Sequence, residues 1–195
     1  MTPNGFIALA VQSVTDPREV ARLLLALNLP RDVLGTALGL VVVLNALVFG
    51  VADQFLADAP GSGLLAQPFA FVAIQGLTLL GTIVFLTWTG GILGGKARFE
   101  DMAILLIWLQ TLRLLMQAVL VVVLPLAPSL GGILILLASA AGVWILINFI
   151  DQAHGLGSLL KAGLVLILGI FGMAVALSMV LAVLGITPNG LTGYV

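Results

Sequence analysis

The segment Thr89–Gln117, TGGILGGKARFEDMAILLIWLQTLRLLMQ, decides how the chain is read. It joins a Gly-rich turn carrying Lys96 and Arg98 to an apolar run with Arg113 in its middle. If that run crosses a membrane, the turn marks the side that keeps the basic residues. Arg113 is then the costliest side chain in the molecule, because a central Arg costs about 2.5–3.5 kcal/mol on insertion scales.

The composition requires the membrane. Of the 195 residues, 62% are hydrophobic and 8% charged, and the mean hydropathy is +1.29. Soluble domains are about half apolar and a quarter charged. A chain of this size cannot hide so much apolar surface from water, so lipid is its solvent. The net charge of −1 offers no basic face for nucleic acid. The absence of Cys excludes disulfides, thiolate metal sites and Cys nucleophiles. His154 alone remains for imidazole chemistry. The N-terminus has no basic n-region and its apolar run, Phe6–Val11, is short, so no secretory signal and no processing are expected.

Upstream of the turn, residues 69–93 read as a span carrying Gln75, Thr78 and Thr82. Before it, a loop over 53–67 holds Pro60, Gly61 and Gly63 with acidic but no basic residues. Pro30-Arg31-Asp32 opens an earlier span, 33–52, where Gly35, Gly39, Ala46 and Gly50 form small-xxx-small pairs that admit another helix. Thr15-Asp16-Pro17 reads as an N-cap with Pro in the first turn, starting an amphipathic helix over Pro17–Asn28. Val20, Leu23, Leu24 and Leu27 share one face of it, and Arg18 and Arg22 another. It lies on anionic headgroups or packs on the protein's own rim.

Downstream, the apolar run from Met102 to Ile150 is long enough for two spans of about 20 residues each. Pro125, Pro128 and Gly131-Gly132 are the breakers that divide it, into 102–126 and 130–150. A polar turn over Asp151–Ser158 leads to a last span, 159–184, ended by Gly185 and Pro188. The expected fold is therefore an all-α membrane protein of five transmembrane helices preceded by a short amphipathic interfacial helix. Residues 1–32 form a cytosolic N-terminal segment and 33–195 the five-helix domain. Under this topology Arg18, Arg22, Arg31, Lys96, Arg98 and Lys161 all fall on one side, which sets an N-in, C-out orientation.

Gly90–Lys96 has the spacing of a phosphate loop, but Ala97 stands where a metal-binding Ser or Thr belongs, and a membrane helix replaces the strand. The glycines read instead as a helix end that unwinds into a tight turn, with Gly91-xxx-Gly95 admitting a close neighbour. Arg113 lies roughly 16 Å into its span and shares a helix face with Gln110 and Gln117. Asn45 and Gln75 fall at similar depth, and no carboxylate does. These five residues form a midplane polar seam: a packing knot facing protein or water, or a lipid or anion site, unless Arg113 snorkels toward an interface. Arg18, Arg22, Lys96 and Arg98 form an inner-surface basic rim. Asn148, Asp151 and His154, at i, i+3, i+6, line one side of an inner mouth, with His154 solvated or anchoring at the surface. Trp88, Trp108 and Trp144 take aromatic-belt positions. No Ser–His–acid set, paired intramembrane carboxylate or metal cluster appears, so catalysis, cofactors and metals are not expected, and bound phospholipid is the one ligand considered.

The order of features resembles the bacterial members of the YIP family, the Ypt/Rab-interacting five-span membrane proteins. The resemblance rests on Asp16-Pro17-Arg18-Glu19-Val20-Ala21, on the Gly-Gly-Lys turn before Arg98-Phe99-Glu100-Asp101, on Ile107-Trp108-Leu109-Gln110, and on Asn148-Phe149-Ile150 with His154-Gly155. It implies an N-in, C-out bundle in a bacterial inner membrane. Eukaryotic relatives act in vesicle traffic by engaging small GTPases through a cytosolic N-terminal region. Here that region is short and lacks a long acidic, Pro-rich extension, which argues against a small GTPase. The resemblance supplies no catalytic residue. The expected role is a non-catalytic interaction or organising subunit, with membrane lipids and another membrane protein or a second copy as partners. The alternative is a lipid or small-solute conduit along the seam around Arg113.

Overall fold

The computed structural model describes residues 3–56 and 68–183. They form helices α1 Pro3–Thr15, α2 Pro17–Ala26, α3 Arg31–Leu56, α4 Pro68–Ile92, α5 Phe99–Leu126, α6 Pro128–His154 and α7 Leu159–Val183. The five from α3 to α7 are each long and apolar enough to cross a membrane. Most of the expected loop over 53–67, and the expected stop after the last span, lie outside the described residues.

Local chemistry sets the boundaries. Asp16 caps α2 by accepting the Glu19 N–H at 3.2 Å, with Pro17 in the first turn. After α2, Asn28 takes a left-handed φ of 42°, a conformation that Asn tolerates at helix ends. Asp101 accepts the Arg98 backbone N–H at 2.9 Å and so caps the start of α5. The α5–α6 hairpin turns on a single residue, Ala127, between Pro125 in the last turn of α5 and Pro128 in the first turn of α6. Gly155, at φ 64°, closes α6 with its N–H on the Asp151 carbonyl.

α5 is the central helix, packed on α3 and α6, while α4 packs chiefly on α7. A Cβ on Gly169 would stand 2.6 Å from Leu86 Cδ2, so α4 and α7 need glycine to meet there. The turns α4–α5 and α6–α7 share one end of the bundle with α2, the end that carries the basic residues. The buried apolar side chains lie in the half of each long helix nearest this basic end. They include Leu34 and Val41 of α3, Ile83 and Leu86 of α4, Met102–Leu106 of α5, Phe149 and Ile150 of α6, and Val165 of α7. The far half of the bundle exposes its Leu, Ile, Val and Phe side chains. Lipid tails solvate such side chains as well as a protein core does, so nothing drives them inward.

α1 departs from the expected N-terminal segment, where Phe6–Val11 reads only as an apolar patch. It is a regular helix, and it joins the core: Phe6 meets Trp108 edge to face at 5.4 Å between ring centroids. The Trp108 indole N–H donates to Ser13 Oγ at 2.9 Å. Trp108 is 8% exposed and therefore a core residue, not a belt residue. Trp88 and Trp144 are exposed.

Candidate functional site

At the basic end, the last turns of α6 gather three elements. Asp151 is buried. Its Oδ2 accepts from the Arg18 guanidinium of α2 at 3.0 Å. Its Oδ1 accepts the Ser158 N–H, one residue before α7, at 2.9 Å. Its carbonyl accepts the N–H groups of Gly155 and Leu156. One side chain thus ties α2, the α6 terminus and the start of α7 together, which 133 residues of separation between Arg18 and Asp151 hide from local sequence reading.

His154 is 2% exposed, which overturns the expectation of a solvated imidazole. Its Nδ1 lies 3.1 Å from the Ile150 carbonyl, so Nδ1 is the donor there. Nε2 is enclosed and has no hydrogen-bond partner among the described residues. The ring fills the space that a Cβ on Gly90 or Gly95 would need. The Lys96 N–H donates to the His154 carbonyl at 3.1 Å. The Gly-rich turn is therefore a cradle for one imidazole. Gly91, read from spacing as a close-approach position, has open space beside it, and Gly90 takes that part instead. Asn148 is buried as well, its Nδ2 donating to the Trp144 carbonyl at 2.8 Å. Asn148, Asp151 and His154 close this end of the bundle and do not line an open mouth.

The basic rim is largely neutralised within the chain. Arg18 pairs with Asp151, Arg22 with Glu19 and Arg98 with Asp101, and Arg31 joins Glu100 at 2.6 Å. The hydrogen bond from the Arg98 guanidinium to Asp101, followed by the field of that carboxylate, raises the Arg98 pKa above its ordinary value. Lys96 and Lys161 make no ion pair among the described residues. α2 packs on the bundle against α6 and α5. Val20 and Leu24 are buried against the bundle, while Leu23 and Leu27 stay exposed.

The midplane residues are not drawn together. Asn45 is buried, its Nδ2 spent on the Val41 carbonyl at 2.7 Å and its Oδ1 unpartnered. Thr78 and Ser139 donate to carbonyls of their own helices, the usual way a hydroxyl is satisfied in an apolar span. Gln75 and Gln110 are half-buried, and Arg113 is exposed. The Gln117 Oε1 is enclosed without a partner. No hydrogen bond among the described residues links Asn45, Gln75, Gln110, Arg113 and Gln117 to one another. Among the same residues, no group of three or more His, Asp or Glu side chains is placed to hold a metal ion.

The third feature is an unfilled surface. Gly35, Gly39 and Gly50 of α3 are exposed, and no atom of the described residues lies within 4 Å of a Cβ built on any of them. On a helix of 3.6 residues per turn the three share one face with Ala46. The close-approach stripe read in the first span is thus present, and the fold leaves it free.

No curated protein and no solved structure matches the chain. The family model for the Yip1 domain matches residues 11–185, beginning within α1 and reaching beyond the end of α7. The chain belongs to the Yip1 domain family of multi-pass membrane proteins.

Proposed function

We propose that this member of the Yip1 domain family is a non-catalytic organising subunit of a bacterial inner membrane, with its N-terminus in the cytosol. Its site of action is the open face of α3, where it binds another membrane helix, from a different protein or from a second copy of the chain.

The observation that carries this reading is the free stripe of Gly35, Gly39 and Gly50. Glycines inside a helix cost roughly 1 kcal/mol each relative to Ala. Within the chain none of these three is used for a turn or a close contact, so a neighbour outside the chain is the remaining use. Small-xxx-small faces let backbones approach, and in lipid that packing drives helix association. The grouping of Arg18, Arg22, Arg31, Lys96, Arg98 and Lys161 at one end supports the N-in orientation. The α1–α2 segment is docked and ion-paired on the bundle through Arg18 and Asp151. The conduit reading is weaker, because the seam it needs is broken at Asn45, whose side chain is buried and turned onto its own helix.

Extraction in mild detergent at native abundance, with size analysis and mass spectrometry of what co-migrates, tests the reading. A dimer or a stable heteromer is expected. A monomer alone would retire it.

A further inference from the structure

Arg113 stands fourteen residues after Phe99 and thirteen before Leu126, so it sits at the centre of a 28-residue helix. At 1.5 Å per residue the helix is about 42 Å long against a hydrocarbon core of about 30 Å. The side chain is exposed, and makes no hydrogen bond or ion pair among the described residues. Among the described residues no carboxylate stands at its level. Asp16, Glu19, Asp32, Glu100, Asp101 and Asp151 all belong to the basic end. The Arg31–Glu100 pair aligns α3 with α5, and thirteen residues on from each brings Leu44 level with Arg113. Asp53 lies nine residues, roughly 14 Å, further along α3.

The position of Arg113 around α5 is equally specific. The exposed apolar stripe Leu115, Val119, Val122 and Leu126 lies on the opposite side, since Val122 is nine residues, two and a half turns, from Arg113. Leu124, about three turns on, shares the face of Arg113. It packs so closely on α6 that a Cβ on Gly131 would meet its Cδ2 at 2.6 Å. Arg113 is therefore exposed on the α6 side of α5. Equal steps back along the hairpin from Leu124 and Gly131 bring Gly142 opposite Arg113 and Ala138 opposite Gln117. Here α6 reads Ala138-Ser139-Ala140-Ala141-Gly142, and nothing lies within 4 Å of a Cβ on Gly142. Small residues of α6 thus stand level with the exposed guanidinium of Arg113. One turn further along α5, the Gln117 Oε1 is enclosed and unpartnered.

We propose that the exposed Arg113, level with the small residues of α6, binds a phosphate group. The guanidinium presents a planar fork of donors that matches phosphate oxygens two at a time, and it is the acceptor-free cation of the seam. The stranded Gln117 carbonyl adds a demand for a donor, which a hydroxyl or ammonium beside the phosphate meets. Phospholipid headgroups of the phosphatidylglycerol and phosphatidylethanolamine kind carry both groups, as does hydrogen phosphate itself. Phosphatidylcholine carries the phosphate without the donor. The proposal does not rest on the α3 stripe, and each can fail without the other.

Native mass spectrometry of the full chain released from nanodiscs tests it, with phosphatidylglycerol, phosphatidylethanolamine, phosphatidylcholine and inorganic phosphate as the probes. Wild type is expected to retain the two donor-bearing lipids at least tenfold above Arg113→Gln, with Arg113→Lys in between. Inorganic phosphate that displaces them at millimolar concentration identifies the free ion as a ligand of the same site, and failure to displace them identifies the lipid. Gln117→Leu keeps the charge, and is expected to bind phosphatidylcholine as well as phosphatidylglycerol; unchanged discrimination would remove Gln117 from the site. Equal adducts on wild type and Arg113→Gln would overturn the proposal. Should Arg113→Gln fail to fold, the Arg113→Lys comparison decides, and equal retention there overturns it.

Discussion

The Arg18 guanidinium lies 3.0 Å from the Asp151 carboxylate, joining the helix before the first span to the end of the fourth. The two partners are unequal. Half of the Arg18 side chain meets solvent, whereas Asp151 is nearly enclosed and also receives the Ser158 N–H. Exposed ion pairs contribute up to about 1 kcal/mol. Removing a buried acceptor that serves several donors costs about 1–3 kcal/mol. Asp151→Ala is therefore expected to destabilise the bundle more than Arg18→Ala does. Thermal unfolding in one detergent, read side by side, checks the order. Equal losses would mean that the pair, and not the Ser158 bond, holds the junction.

The cradle around His154 makes a sharper prediction. Gly90→Ala and Gly95→Ala each place a methyl in the ring's position. Overpacking of this kind costs about 1–3 kcal/mol. Gly91→Ala, with open space beside it, is expected to be neutral or slightly stabilising, since Ala is the better helix former by roughly 1 kcal/mol. A second change, His154→Ala, is expected to relieve most of the cost of Gly90→Ala. Full additivity of the two losses in a double-mutant cycle would show that ring and glycine do not meet.

Ser13 holds Trp108 from α1. Ser13→Ala leaves the buried indole N–H without its acceptor, a loss of about 1–3 kcal/mol. Trp108→Phe removes donor and demand together and is expected to cost less than Ser13→Ala. The measurement is limited proteolysis of the N-terminal segment in membranes: α1 is expected to be released sooner in Ser13→Ala than in Trp108→Phe.

Gly39→Leu fills the open stripe of α3, where an added Cβ has no described atom within 4 Å. Stability of the isolated chain is expected to change by less than about 0.5 kcal/mol, as for other surface substitutions, while the oligomer or heteromer dissociates. Crosslinking in native membranes reads this directly. Loss of the assembly together with the fold would show that the stripe has an internal role.

Number and kind of spans were legible because hydropathy is a local property: each span is a run of neighbours, and lipid demands a closed helix from every one. The hairpin at Ala127 was legible for the same reason, since Pro125 and Pro128 act on the residues beside them. The stripe of Gly35, Gly39 and Gly50 could be read from spacing, because a helix converts spacing into a face. Its vacancy could not, because that depends on where α4 and α5 pass.

What only tertiary structure decided lies at the basic end. His154 read as a solvated imidazole because its own neighbours, Asp151 and Gly155, are polar or small; the glycines that bury it are some sixty residues earlier in the chain. Trp108 read as a belt residue from its distance to a boundary, until α1 folded back over it. The charges of the rim could be counted but not paired, since Arg18 finds Asp151 and Arg31 finds Glu100 only after the helices pack. The sequence alone determined that there are five long apolar helices with six of the seven Lys and Arg residues grouped at their ends, for hydropathy and charge act residue by residue. Packing decided which polar groups are enclosed at that end and left Arg113 open at the centre, because partners brought together by the fold are separated in the chain.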